Sequence, residues 1–386
     1  MNKGDTKLTP YVLLIAIMIS GIATFMIYPL LVFRLLDIGF NVSEIGLILG
    51  VLSGTGRLCS FATGSANNKF GSKLTVCIGI LLRVIGISIF AFESTLILYV
   101  GFAVLASIGS SASALGIKTE LLRQSAERKF ITMRSMAINS GAIVGPALGA
   151  ALYHFLSFHV ILYSSIGAYL LLVCIMSVTH FSAPEGATLA KKYDNKKPNN
   201  YSGFIHITII ASIYWAIYSQ WPIIVPLISE QAFGHKEASN IVYMVNAIIV
   251  LVLQYPLVVI ALKSVRDSKI LLLGFLIFFA TFWTLFPVPS FLTVPLFCVG
   301  FSIAELLISP TLDSQTAKVA PSSFGLTKSY GLQDTITGIF SIGTSSIGGW
   351  TIEHFESLSA SAAFCLPLSV IAACLIILRM KNVEKD

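Results

Sequence analysis

Charged side chains occur inside stretches of the sequence that are otherwise apolar. They are Arg57, Arg83, Lys118, Glu120, Glu305, Asp313 and Asp334. An ionisable group in a lipid-embedded segment is costly unless it faces a cavity or a partner. Lys118, Glu120 and Asp313 are expected at cytoplasmic helix ends as latch or interface charges, and the other four positions are candidate sites for an ion or for a polar substrate group.

The four deepest of these charges divide by sign between the two halves of the chain. Arg57 and Arg83 lie in the first half, and Glu305 and Asp334 lie in the second. Burial disfavours the charged form of a carboxyl group, so Glu305 and Asp334 are candidates for proton coupling. The two arginines could instead hold an anionic substrate group through forked hydrogen bonds. Ion pairing with neighbours, or a place near the lipid headgroups, is the structural alternative.

Polar and aromatic residues at helical spacing offer a lining for a cavity around these charges. Tyr28, Tyr218 and Asn246 are candidate substrate-binding residues beside the two arginines. Aromatic rings give an adaptable surface for apolar or cationic ligands. Trp221 is instead expected in the aromatic belt at the membrane interface, which is also the alternative for the tyrosines.

Twelve apolar stretches carry these residues, and the composition excludes a soluble globule. The 386 residues are 55% hydrophobic and 11% charged, with a mean hydropathy of +0.85. A bilayer span needs roughly 20 apolar residues, and its backbone amides must bond within the segment, so each stretch is predicted to be a helix. The predicted spans are 11–33, 42–65, 74–92, 96–117, 131–153, 159–181, 203–228, 238–262, 269–286, 291–313, 325–349 and 359–379.

The basic residues predict the orientation of these spans. Twenty of the 25 Lys and Arg residues lie in alternate gaps between stretches, and only Arg34 and Lys236 lie in the other gaps. Because cytoplasmic loops are rich in Lys and Arg, both termini are predicted to be cytoplasmic. The loops account for the net charge of +7, so anionic lipid headgroups are the expected neighbours and no nucleic-acid partner is expected.

One long polar stretch, residues 182–202, divides the chain. It contains Pro184 and four lysines, which is typical of a flexible cytoplasmic linker. It separates a predicted N-terminal bundle, 1–181, from a predicted C-terminal bundle, 203–386. Two such halves around a midplane binding site are typical of secondary transporters. We therefore predict an all-α membrane protein with twelve transmembrane helices in two pseudo-symmetric six-helix bundles.

A glycine-containing loop follows the second stretch. Its sequence is GSANNKFGSK, and the residues of interest are Gly64, Asn68, Lys69, Gly71 and Lys73. The loop resembles the G-x-L-a-D-R-x-G-R-K signature of the major facilitator superfamily, with asparagine in place of the usual Asp and lysine in place of the Arg. The resemblance implies a loop that latches the two halves in one state and helps to gate alternating access. Asn68 could still cap a helix end.

A second motif lies in the fifth stretch. The segment GAIVGPALG at 141–149 resembles the G-x-x-x-G-P-x-x-G motif of the drug-proton antiporter branch of that superfamily. Gly141, Gly145 and Gly149 recur every four residues on one face, where small residues allow helices to approach closely. Pro146 removes a backbone hydrogen bond and bends the helix. The motif therefore predicts a close, kinked helix contact within the first bundle.

These features together predict a multi-pass protein of the plasma (inner) membrane that exports a small organic molecule by proton antiport with alternating access. The first-half arginines also fit a dedicated exporter of an anionic metabolite such as a polycarboxylate siderophore. An uptake symporter, a membrane receptor and a lipid-handling scaffold are the remaining alternatives. No enzyme activity, cofactor or metal is predicted, because no triad, zinc spacing or phosphate loop occurs. The expected partners are the substrate, protons and the lipid bilayer, and a monomer is expected.

Overall fold

The computed structural model describes residues 5–124, 128–182, 200–286, 289–321, 323 and 325–383, and the described chain is helical without strands. The helices of the first half are α1 (Asp5–Ile27), α2 (Leu31–Ile38), α3 (Val42–Leu58), α4 (Ser60–Phe70), α5 (Ser72–Ser88), α6 (Leu96–Gln124), α7 (Arg128–Phe155) and α8 (Phe158–Val178). Those of the second half are α9 (Tyr201–Tyr218), α10 (Trp221–Phe233), α11 (Ala238–Leu253), α12 (Asp267–Trp283), α13 (Thr293–Val319), α14 (Gly325–Phe355) and α15 (Ser359–Val383). Most of the predicted linker, 183–199, lies outside the described residues.

Most of these helices are long and apolar enough to cross a bilayer. Within the described ranges, nine helical stretches meet this condition, and the bent pair of α3 and α4 adds a tenth. Helix α12 has only 17 residues, and α14 carries both Lys328 and Asp334. The all-helical membrane fold is therefore confirmed, whereas the count of twelve spans stays a prediction.

Three predicted spans depart from a single straight α-helix. Span 42–65 breaks at Cys59, where α3 and α4 meet at 49°. Span 203–228 is interrupted between α9 and α10, where Pro222 occupies the first turn of the new helix, a position that tolerates proline. Span 238–262 becomes a π-helix over Gln254–Ala261, because the ring of Pro256 is incompatible with a regular α-helix. The sequence stays apolar through all three breaks, so hydropathy alone does not reveal them.

Glycines bring α3 of the first half into backbone contact with α14 of the second. A Cβ added to Gly46 would lie 2.7 Å from the carbonyl oxygen of Ser345, and one added to Gly54 would lie 2.8 Å from that of Gly338. The Ser345 hydroxyl also donates to the Gly46 carbonyl oxygen at 3.0 Å. Close approach of this kind is what small-residue faces allow in a membrane.

The motif in α7 packs against α1. Its residues in the helix interior are Gly141, Gly145, Pro146 and Gly149. A Cβ on Gly141 would lie 2.8 Å from the Cα of Gly21, and one on Gly149 would lie 2.5 Å from the carbonyl oxygen of Met26. The glycine face therefore lies where two first-half helices touch, and its part in transport stays a prediction.

The loop motif forms the turn between α4 and α5. Gly64 lies in α4, near Leu115 of α6, and the exposed members are Asn68, Lys69 and Lys73. The expected helix cap by Asn68 is wrong, because α4 continues to Phe70 and Gly71 occupies the N-cap of α5 without a side-chain bond. The buried asparagine is its neighbour Asn67, which is 2% exposed.

Alanine at Gly71 is expected to destabilise the protein by about 1–3 kcal/mol, because the backbone there is essentially restricted to glycine. Its φ is +86° and its ψ is 156°. Gly234, with φ +75° and ψ 8°, provides the control, since asparagine tolerates that left-handed region. Thermal unfolding in detergent should show a lower Tm for Gly71→Ala than for Gly234→Asn. Equal values would contradict the role of the backbone at Gly71.

Candidate functional site

A cavity of about 740 Å³, here called the central cavity, lies between helices of the two halves. Its walls come from α1, the short turn Tyr28–Leu30, α3, α4, α5, α6 and α7 of the first half and from α9, α10, α11, α13 and α14 of the second. Trp221 and Tyr243 are 4% and 6% exposed at one end, whereas Ala114 and Lys118 are exposed at the other. A cavity of this volume can hold a drug-sized molecule.

The central cavity brings together the charged and polar residues that the sequence singled out. Those in its walls are Tyr28, Arg57, Arg83, Tyr218, Asn246, Glu305 and Asp334. The arginines come from first-half helices and the acids from second-half helices. None of the motif glycines, which all lie in described segments, belongs to the lining. The geometry makes joint action of the lining residues possible, and their individual roles stay predictions.

Arg83 of α5 is held against the first-half wall by neutral groups. Its Nη1 donates to the Ser110 hydroxyl at 2.8 Å, and its Nη2 donates to the Thr24 hydroxyl at 2.9 Å. The guanidinium carbon also lies 4.8 Å from the centroid of the Tyr169 ring. No carboxylate of the described chain lies within 4.0 Å of it. The positive charge therefore borders the cavity without a counter-ion.

Glu305 of α13 has the complementary position on the second-half wall. The Tyr218 hydroxyl donates to its Oε1 at 3.3 Å, and the Asn246 amide donates to its Oε2 at 3.3 Å. The same Asn246 nitrogen donates to the Ser302 hydroxyl at 2.8 Å, which fixes the amide. Within the described residues no basic group lies within 4.0 Å of the carboxyl group. Glu305 can therefore exchange a proton without first breaking an ion pair.

Arg57 and Asp334 form an ion pair that connects α3 to α14. Nη1 of Arg57 lies 3.6 Å from Oδ1 of Asp334, and the Ser60 hydroxyl donates to Oδ2 at 3.3 Å. The guanidinium carbon lies 3.2 Å from the centroid of the Trp215 ring, a cation–π contact. Because the two charges offset each other, this pair is less available to a substrate or proton than Arg83 and Glu305 are.

Removing one partner of this ion pair is expected to lower the free energy of unfolding by more than removing both partners does. Arg57→Met leaves a partly buried carboxylate without its cation, which should destabilise the protein by about 1–3 kcal/mol. The double variant Arg57→Met/Asp334→Asn should recover part of that loss. Denaturation of the wild type, both single variants and the double variant in detergent completes the cycle. Strictly additive effects would show that the two side chains are not coupled.

Two basic residues of the lining were not identified as site residues from the sequence. Lys118 and Arg134 belong to the wall, although the sequence favoured a latch or interface charge at a helix end for the first and counted the second among the basic residues of the cytoplasmic gaps. A signal for Lys118 was present, because Ser107, Ser111, Ala114 and Lys118 recur at helical spacing and all line the cavity. Arg134, Ile138 and Ala142 recur in the same way along α7 and also line the cavity.

The expected position of Trp221 in the interfacial belt is wrong. Its ring lies 4.5 Å from that of Phe301 and 5.6 Å from that of Tyr243, measured between centroids. It also lines the central cavity. A tryptophan near the end of an apolar stretch is compatible with an interfacial belt and with a cavity wall. Only the break before α10, after which Trp221 lies in the wall, distinguishes the two positions.

Contacts between the halves lie beyond the buried end of the cavity. Lys236 Nζ donates to the Asp37 carboxylate at 2.8 Å, and the Ser239 hydroxyl donates to the Pro29 carbonyl oxygen at 3.0 Å. Burial lowers the pKa of Lys236, but the hydrogen bond to Asp37 and the charges of Tyr153, Asp37 and Glu230 together raise it by more, so the pKa lies above its usual value. Lys236 therefore carries its positive charge at neutral pH. This contact gives a structural reason for Lys236, one of the two basic residues that lie in the opposite gaps.

Comparison with known proteins assigns the family. The family model described as Major Facilitator Superfamily matches residues 13–350. The chain belongs to the major facilitator superfamily. Curated relatives include Multidrug resistance protein MdtH of Yersinia enterocolitica serotype O:8 / biotype 1B, which is 22% identical over 330 residues, 82% of this chain and 80% of the relative. MdtH of Yersinia pestis (strain Pestoides F) is similar to the same extent.

Solved structures of this superfamily's fold superpose along nearly the whole chain. A POT family transporter in complex with 5-aminolevulinic acid has a TM-score of 0.79 at 14% identity, with 97% of this chain and 96% of that chain covered. The nucleoside transporter NupG has a TM-score of 0.80 at 13% identity, with 96% and 99% covered. These likenesses show the fold alone. As a member of the superfamily, the protein is a multi-pass plasma-membrane transporter and not an enzyme.

Proposed function

We propose that this transporter exports a small organic molecule from the cytoplasm in exchange for protons. One observation carries the proposal. Arg83 and Glu305, which have no ionic partner in the described chain, lie on opposite walls of the central cavity. A polar cavity between two halves is the arrangement that alternating access requires. The protein acts in this proposal as a monomer.

The proposal includes twelve spans, with both termini in the cytoplasm. Helix α12 has 17 residues, and α14 packs along α3 for most of its length. A polar helix buried against neighbours can cross a bilayer when its charges face a cavity, as Asp334 does. The basic residues in alternate gaps favour this orientation. The halves 1–181 and 203–386 then act as two bundles.

Two observations support export rather than uptake. The α7 glycine motif resembles that of drug-proton antiporters, and the MdtH relatives carry the name multidrug resistance protein. In the orientation proposed, the exposed end of the cavity with Lys118 faces the cytoplasm, so substrate enters from inside. The buried end with Trp221 and Tyr243 faces outward and must open to release it.

Glu305 supplies the coupling in this mechanism. It takes up a proton when the cavity opens outward and releases it when the cavity opens to the cytoplasm. Tyr218 and Asn246 hold the carboxyl group in either form, because the fixed Asn246 amide can donate to an oxygen of either form and the Tyr218 hydroxyl can donate or accept. One unit charge moved through 100 mV supplies about 2.3 kcal/mol, and a pH gradient adds to it.

Transport by purified protein in liposomes tests the proposal. Dansylglycine and dansylcadaverine serve as fluorescent probes, and protein-free liposomes correct for passive trapping in an acidic or alkaline lumen. Antiport predicts protein-dependent accumulation of a probe when the lumen is acidic, with proton efflux reported by an internal pH dye. Accumulation only when the outside is acidic would identify an uptake symporter. A receptor or scaffold would produce no gradient-driven flux of any probe.

A further inference from the structure

We propose that Arg83 binds an oxyanion group of the substrate, so that the cargo of this transporter is an organic anion or zwitterion with a carboxylate or a similar group. This inference rests on the proposed transport function, because it assigns the ligand class of the same cavity. It selects one of the two first-half arginines as the anion site.

The charge of the central cavity favours an anionic group. Four basic side chains, Arg57, Arg83, Lys118 and Arg134, and two acidic ones, Glu305 and Asp334, line it. The formal charge of the lining is therefore +2. Arg57 and Asp334 offset each other directly at 3.6 Å, which leaves three basic groups facing one carboxyl group. A walled cavity with an excess of one sign concentrates ligands of the opposite sign.

The setting of Arg83 is that of a prepared anion site. A guanidinium has five N–H donors in a rigid fork, and the described structure assigns only two of them, to Ser110 and Thr24. The Tyr169 ring lies against the guanidinium at 4.8 Å, and Tyr169 is 1% exposed. Orientation by a buried ring and two neutral hydroxyls keeps the side chain in place without neutralising it. The remaining donors can then bind an oxyanion through two parallel hydrogen bonds.

Arg57 does not offer the same possibility. Its charge is met by Asp334, and its planar face lies against Trp215. An anion could bind there only in competition with the carboxylate of Asp334. Arg83 lies in the same cavity without such a competitor. An anionic ligand can therefore bind Arg83 with a more favourable free energy than Arg57.

The rest of the lining suits an aromatic or apolar body on the same ligand. Tyr28, Tyr218, Trp221 and Tyr243 line the cavity together with Leu52 and Val250. Aromatic rings provide contact area for an apolar group of varied shape. The inferred cargo therefore combines an oxyanion at Arg83 with an apolar portion towards the buried end.

Binding of three matched probes to the purified transporter tests the inference. Dansylglycine carries a carboxylate, dansylamide is neutral and dansylcadaverine is cationic. Energy transfer from Trp215 and Trp221 to the dansyl group reports occupancy. The wild type should bind dansylglycine about tenfold or more tightly than the other two. Arg83→Gln should lower dansylglycine affinity by about tenfold to hundredfold, the usual effect of losing a hydrogen-bonded charge, and leave dansylamide affinity unchanged.

Arg379→Gln is the matched control. Arg379 donates to the Gly203 carbonyl oxygen at 3.2 Å and does not line the cavity, so its replacement should not alter dansylglycine affinity. Arg83→Lys keeps the charge but loses the fork, and it should lie between the wild type and Arg83→Gln. Size-exclusion profiles and Tm values exclude misfolding as the cause.

Two results would overturn the inference. One is equal or tighter wild-type binding of dansylcadaverine, which needs no variant and is independent of folding. The other is an unchanged affinity of well-folded Arg83→Gln for dansylglycine. Either result together with proton-driven flux of dansylcadaverine would leave the export function intact. Selective dansylglycine binding without any gradient-driven flux would support the anion site and contradict the transport proposal alone.

Discussion

Replacing Glu305 with glutamine is expected to abolish uphill transport while substrate binding and downhill exchange continue. Glutamine keeps the size of the side chain and can still bond Tyr218 and Asn246, but it carries no exchangeable proton. One proton moved through 100 mV can sustain a concentration ratio of about fiftyfold. In the variant a neutral or zwitterionic probe should reach a ratio of one and a charged probe only the ratio that the membrane potential sets, because substrate movement is no longer tied to the proton gradient.

Proteoliposomes with an imposed pH gradient and membrane potential measure this effect. Accumulation of the transported probe and the signal of a lumenal pH dye are recorded together, and exchange of labelled for unlabelled probe is recorded without a gradient. Glu93→Gln is the control, since Glu93 is exposed and outside the cavity lining. Proton-coupled accumulation by Glu305→Gln at the wild-type level would reject Glu305 as the coupling group. Asp334→Asn would then be the next variant to test.

The second large effect, on stability and on transport rate, is expected for alanine substitutions where α3 and α14 touch. A Cβ added to Gly338 would lie 2.6 Å from the backbone nitrogen of Leu58, and one added to Gly349 would lie 2.5 Å from the carbonyl oxygen of Val42. Backbone cannot move aside as a flexible side chain can. Gly338→Ala and Gly349→Ala should therefore each destabilise the protein by about 1–3 kcal/mol, the usual range for overpacking, and lower the transport rate.

Gly343 provides a control on the same helix. A Cβ there would meet nothing within 4 Å, so Gly343→Ala should leave the protein as stable as the wild type or slightly more stable, because alanine favours helix more than glycine does. Tm in detergent and initial transport rates are compared across the three variants. Similar behaviour of all three would show that the close approach of α3 and α14 contributes little.

Much of the fold was predictable because the bilayer constrains it so strongly. Apolar stretches of about span length must be helical there, and the structure places helices at each of them. The charged residues Arg83 and Glu305 were also identifiable, since a buried charge needs a polar setting. Both side chains do line one cavity.

The partners of those charges could not be predicted from the sequence. Arg57 and Asp334 are nearly 280 residues apart, and only the contact of α3 with α14 brings them to 3.6 Å. Arg83 and Glu305 looked equivalent to them in sequence, yet neutral hydroxyl and amide groups surround these two. Which charges cancel depends on helix rotation and crossing, which apolar periodicity does not encode in a helix that is apolar on most faces.

Small errors in the position of helices and their ends account for the remaining differences between the predictions from the sequence and the structure. The sequence drew attention to Asn68, but α4 buries Asn67 instead, since adjacent residues on a helix point about 100° apart. Trp221 follows the break at Ser219 and Gln220, and Pro222 marks this break in the sequence without fixing the direction in which the next helix runs. Such positions depend on how neighbouring helices accept the interrupted backbone.

The α3–α14 contact runs from Val42 and Gly349 at one end to Leu58 and Gly338 at the other, and α7 packs against α11 as a second contact between the halves. In this state two helix pairs therefore join the halves. A molecule arriving from the exposed end must pass between these pairs, near Ala114 and Arg134 of the first half. Side chains bordering that entrance would decide which molecules are admitted before any of them reaches the deeper binding groups.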